Sequence, residues 1–109
     1  MNYVGNAKVI YVWTTTAITG NVVWDFDYRA VGGDNAESLD QATVQEAVTV
    51  TDAAPGATDR RMEVSINLTS ANIAAGDTLE WLAARDGAAS DTIAAAVGLV
   101  SLELEYTDV

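Results

Sequence analysis

The chain contains no cysteine and no histidine, and only one proline and one lysine among its 109 residues. Without cysteine there is no disulfide and no thiolate metal site, and the redox compartment leaves no mark. Without histidine the commonest general base and the commonest transition-metal ligand are both missing. Lys8 is the single lysine, so the serines have no obvious base from which a nucleophilic triad could be built. These absences argue against an enzyme and against a required metal or other cofactor. Positive charge is scarce as well: 5 basic residues face 16 carboxylates, for a net charge of −11. Such a surface repels phosphate, so neither nucleic acid nor an anionic membrane is an expected partner. No apolar run approaches the roughly 20 residues that span a bilayer. The opening MNYVGNAKV lacks the charged stretch and apolar core of an export signal, so none is expected.

What the chain does have is alternation. Residues 21–31, NVVWDFDYRAV, put Val22, Trp24, Phe26, Tyr28 and Ala30 on one side and Val23, Asp25, Asp27 and Arg29 on the other. Side chains in a strand leave on opposite faces with period two, so this is a half-buried strand with its aromatic face inward. Residues 7–14 form another, with Val9, Tyr11 and Trp13 on one face and Ile10 and Val12 on the second. Residues 43–51, 60–69, 78–85 and 97–106 read as strands too. In these, Met62, Val64, Ile66 and Leu68 point inward, as do Val100, Leu102, Leu104 and Tyr106. Residues 78–85 alternate at Leu79, Trp81 and Ala83, although their Leu, Glu and Ala also favour a helix. Residues 93–96 suit a short strand, and residues 70–77 a helical turn closed by Gly76. The connections over residues 32–41, 52–59 and 86–92 are rich in turn formers. Short strands without crossover helices define one all-β domain over residues 1–109, an antiparallel sandwich or barrel. Its expected core is Val22, Trp24, Phe26, Tyr28, Met62, Val64, Ile66, Leu68, Leu102 and Leu104.

Several groups could carry chemistry, and each has a plainer reading. Asp25 with Asp27, and Glu103 with Glu105, repeat the paired carboxylates of a glycosidase, but any amphipathic strand shows such pairs on its wet face. Asp34, Asn35 and Glu37 offer hard oxygens to calcium, without the EF-hand spacing; a turn is the plainer account. Asp86 and Asp91, around Gly87 and Ser90, form a second acidic loop of the same kind. Trp13, Trp24 and Trp81 include a possible sugar platform, yet aromatics at period-two positions are ordinarily core. Asn67-Leu68-Thr69 matches a glycosylation sequon that, with no export signal, is accidental.

The chain also resembles a family: the short virion structural proteins of tailed bacteriophages, which act as decoration proteins or as domains of head and tail fibres. The stretches that carry the resemblance are VIYVW, TAITGNVVWDFDYRAV, SLDQATVQEAVTVTDAAPG, SINLTSANIAAGD, ARDG with SDT, and LELEYTD, together spanning residues 9–108. It implies an antiparallel jelly-roll-like β-sandwich of six to eight strands and a location in the virion, after synthesis in the bacterial host cytoplasm. It further implies a non-enzymatic role as a capsid decoration or cement subunit, or as a fibre or knob head. The partners would be major capsid or tail proteins and sibling copies, as a trimer. Strand one begins close to Met1, which favours an independent protein over a segment of a long fibre. Such a subunit stabilises a shell by mass action, because it binds assembled neighbours and not loose ones. The second faces of the first and last strands supply an expected oligomer surface: Ile10, Val12, Val97 and Leu99. The rival function is a carbohydrate-binding module for host attachment, which would need exposed aromatics beside polar loops.

Overall fold

The computed structural model describes residues 3–33, 37–39 and 43–108. These residues form six strands: β1 (Tyr3–Thr15), β2 (Asn21–Val31), β3 (Glu46–Ala53), β4 (Met62–Asn67), β5 (Thr78–Arg85) and β6 (Val97–Asp108). A single 3-10 turn, Ser70–Asn72, lies between β4 and β5. The strands make two antiparallel sheets, ordered β4-β1-β6 and β3-β2-β5. First pairs with last and second pairs with fifth, while β3 and β4 lie close across the sandwich. The two three-stranded sheets make an antiparallel β-sandwich.

The alternation of β2 works as expected. Val22, Trp24, Phe26 and Tyr28 are buried, and Asp25, Asp27 and Arg29 lie on the outer face. Across the sandwich Val9, Tyr11 and Trp13 of β1 meet them, and Ile66, Leu68, Ile73 and Ile93 complete the core. Two side chains of β1 tie the sheets together. The Tyr11 ring stacks on Trp24 with centroids 5.1 Å apart, and the Tyr11 hydroxyl donates to the Asp25 carbonyl at 2.6 Å. Trp13 Nε1 donates to Asp52 Oδ2 on β3 at 3.0 Å. A buried ring with its polar tip satisfied contributes packing without a desolvation penalty.

Several boundaries and faces differ from the sequence reading. β1 begins at Tyr3, and its pairing with β6 is irregular around Gly5 and Asn6, both at positive φ. β3 starts at Glu46: Arg29 holds the Thr43 carbonyl and hydroxyl at 2.8 and 2.9 Å, and Gln45 Oε1 caps the Ala30 N–H at 3.0 Å. Gly76 is not a helix cap, because the 3-10 turn ends at Asn72; it sits at φ 84° in the separate turn closed by Asp77 N–H and the Ala74 carbonyl. Residues 93–96 form no strand; Ile93 instead plugs the end of the core.

The inward face of β6 is the largest correction. A bulge sets Ser101 opposite Val12 but Leu99 opposite Trp13, so Val100 is the extra residue. Val97 and Leu99 therefore take the phase of the core face, and Val100 is 62% exposed rather than inward. Of the expected core, Met62, Val64 and Leu102 are only partly buried, and Leu104 is 41% exposed although it faces Val9.

Candidate functional site

The two carboxylate pairs do not form one site. Asp25 and Asp27 stand on the outer face of the β3-β2-β5 sheet, where Asp25 Oδ1 accepts from the Thr49 hydroxyl. Glu103 and Glu105 belong to the outer phase of the other sheet, opposite Ile10 and Lys8. The pairs thus occupy opposite sides of the sandwich, too far apart to flank one glycosidic bond. Of the proposed calcium loop, Asp34 and Asn35 lie outside the described residues. Glu37 Oε2 accepts the Gly32 N–H at 2.8 Å, closing the turn after β2. A Cβ on Gly32 would stand 2.5 Å from Asp77 Oδ1, so any larger residue there would have to displace the Asp77 carboxylate. Among the described residues, no three or more acidic side chains gather as a metal-holding group.

The second acidic loop has a structural role that the sequence reading missed. Asp91 receives Arg85 Nη2 and Nε at 2.7 and 2.9 Å and the Val23 N–H at 3.1 Å. Arg85 Nη2 also donates to the Ile93 carbonyl at 2.6 Å. Where β5 ends, this loop takes over the edge of β2: Thr92 and Ile93 N–H groups donate to the Asn21 carbonyl at 2.8 and 3.1 Å. The hydrogen bonds from Arg85 hold the Asp91 carboxyl below its usual range against the opposing effect of burial, helped by the Val23 N–H and the guanidinium charge. A second anchor ties β3 to the end of β4. Burial pushes Glu46 upward, but hydrogen bonds from the Thr69 hydroxyl, the Thr69 N–H and the Tyr28 hydroxyl outweigh it and lower its pKa.

The expected oligomer surface changes character. Ile10 and Val12 are buried in the single chain, at 6% and 1% exposure. β1 is the middle strand of its sheet, so Ile10 lies between Ser65 and Glu103, and Val12 between Glu63 and Ser101. Neighbouring strands already cover the apolar face that was to need a sibling subunit. Val97 packs against the core, and only Leu99 of the four is substantially exposed.

Exposed apolar surface gathers elsewhere, along β5 and β6. Trp81, Leu82, Leu99, Val100 and Leu104 are 41–64% exposed. On the opposite side β3 and β4 close the sandwich, whereas β5 and β6 stand apart. Between them lies a groove of about 160 Å³ lined by Val9, Phe26, Leu79, Trp81, Leu102 and Leu104, with Glu103 at its rim. The Trp81 ring stacks against Phe26 at 6.0 Å, so one of its faces is occupied from within. Among the described residues β5 and β6 each pair with a strand on one side only, which leaves two backbone edges free. Trp81-Leu82 and Leu99-Val100 put apolar side chains on both faces of their strands, but so does the middle strand β1, so the pattern alone does not mark an edge.

Trp81 also touches a shallow depression with Asp27, Arg29, Thr43 and Glu80. Register separates its ring from them. Glu80 and Leu82 pair with Arg29 and Asp27 on the outer face, while Trp81 pairs with Tyr28 and turns toward the core side. Of the other tryptophans that could have formed a sugar platform, Trp13 and Trp24 are buried.

No protein-family model matches this chain, and neither a curated protein nor a solved structure matches it. Among the described residues no helix is long and apolar enough to cross a membrane.

Proposed function

We propose that this protein is a non-enzymatic structural subunit of a bacteriophage virion, which decorates or cements the particle by docking on neighbouring virion proteins. The observation that carries the docking role is the open β5–β6 side: an apolar groove and exposed Trp81 and Leu104 on an otherwise strongly acidic molecule. Apolar patches that a soluble domain leaves uncovered ordinarily mark contacts. The virion location rests on the family resemblance of residues 9–108. Binding to an assembled shell and not to loose subunits stabilises the shell by mass action. Gold-labelled antibody against the chain, applied to particles of the phage that encodes it, is expected to mark every particle at regular positions. Unlabelled particles from cells that express the chain would refute the virion location.

A carbohydrate-binding host-attachment module is the second reading, and the 56% exposure of Trp81 favours it. Against it, the groove beside that ring holds one polar side chain, Glu103, whereas sugar hydroxyls need several convergent hydrogen-bonding groups. Tryptophan emission that shifts on titration with host surface glycans would support this second reading over the first.

A further inference from the structure

We propose that the β5–β6 opening is a docking groove for an extended segment of another virion protein, apolar at alternate positions and carrying a lysine or arginine opposite Glu103. The inference deepens the docking role proposed above and rests on it. Three observations select this occupant. The groove is apolar and of a size that takes one large side chain, since a space of about 150 Å³ lined by aliphatic and aromatic groups accommodates a small aromatic ring. Its walls are strand edges free on one side, which can pair with the backbone of an added strand, while alternate side chains of that strand drop into the groove. The charge at its rim is a carboxylate with no cation: among the described residues the ion pairs are Lys8–Glu105, Arg61–Glu63 and Arg85–Asp91, and none includes Glu103. A chain of net charge −11 strengthens the preference for a basic partner.

A second copy of this chain complements the groove poorly. Three of its five cations are in those ion pairs, and Arg29 is held by Thr43 and lies opposite Glu80. Arg60 remains, in the polar stretch just before β4 and not on an apolar strand. Two copies meeting groove to groove would bring two Glu103 carboxylates, neither paired with a cation among the described residues, into one interface.

The probe is a blocked octapeptide, Val-Lys-Val-Thr-Val-Lys-Val-Thr, compared with the same peptide carrying Glu in place of Lys. Trp13 and Trp24 are buried, so a blue shift of tryptophan emission reports burial of Trp81. The lysine peptide is expected to bind at least tenfold more tightly than the glutamate peptide, with amide shift changes confined to β5 and β6. The Glu103→Lys variant, at an exposed strand position, is expected to reverse the preference. Equal binding of both peptides, amide changes elsewhere, or no binding would overturn the proposal. So would light scattering that shows a dimer lost in Leu104→Asp, because a second copy would then fill the groove. Particle loading separates the two readings: Glu103→Lys loading as well as the unmodified protein refutes this groove and leaves the docking role standing, whereas failure of the unmodified protein to load removes the role itself.

Discussion

The two buried tryptophans of the core differ in the bonding of one atom, and their substitutions should differ accordingly. Trp13 Nε1 reaches Asp52, while Trp24 Nε1 is the one buried side-chain polar atom without a partner among the described residues. Trp24→Ala should cost about 3–5 kcal/mol, as large-to-small core changes do. Trp24→Phe should cost far less, because the ring keeps its place on Tyr11 and an unsatisfied N–H disappears. Trp13→Phe should cost more than Trp24→Phe, since it leaves Asp52 unpaired beside the core. Urea unfolding of the three variants checks the order, and Trp24→Phe as damaging as Trp24→Ala would contradict it. Tyr11 predicts the alkaline limit. Burial first, and then the charges of Asp25 and Asp27, raise its pKa well above the usual tyrosine value. A pKa raised by folding means stability fully present below the unfolded value of about 10 and lost as pH climbs from there toward the folded value. Tyr11→Phe should lose about 1 kcal/mol at neutral pH with its hydrogen bond, yet fall less steeply above pH 10 or so.

At the scale of elements, the strands that bury one face were legible and those with special edges were not. The β2 pattern and the span of β5 follow directly from period two, because one face of each strand must be apolar. β6 defeated the same rule because a bulge at Val100 reverses the phase, and no residue there announces it. β1 misled in the opposite direction. Its second apolar face looked like an interface, but a middle strand is covered by its neighbours, and strand order is not visible in local pattern. The Arg85–Asp91 clamp was hidden for the same reason: Arg85 ends an ordinary strand and Asp91 sits in ordinary turn chemistry until the fold sets them against β2. Asp91→Asn should cost about 1–3 kcal/mol by unpairing Arg85 and weakening the bond from Val23. Folding lowers the pKa of Asp91 and of Glu46. Their contribution is therefore present above the unfolded carboxylate value of about 4 and is lost as pH falls through the folded values. Asp91→Asn should accordingly flatten the acid side of the stability profile measured by thermal unfolding. An unchanged acid slope would remove Asp91 from this account.

For the whole molecule, charge and apolar surface pull in opposite directions. The net charge of −11 strains the folded chain by self-repulsion, so raising sodium chloride from about 0.05 to about 0.5 M should raise the unfolding temperature as screening shortens the reach of each charge. A midpoint that falls with salt would mean that ion pairs such as Arg85–Asp91 outweigh the repulsion. The same charge opposes contact between acidic faces, so the proposed docking falls to the exposed apolar β5–β6 opening. The proposed virion role is tested most directly by co-sedimentation with purified phage particles stripped of this chain, comparing the unmodified protein with Leu104→Asp, a substitution at a half-exposed groove position. The unmodified protein should pellet with the particles in a saturable, stoichiometric amount, and Leu104→Asp, folded by circular dichroism, should stay in the supernatant. Equal pelleting of the two, or pelleting of neither, would contradict the claim that this edge is what docks the protein.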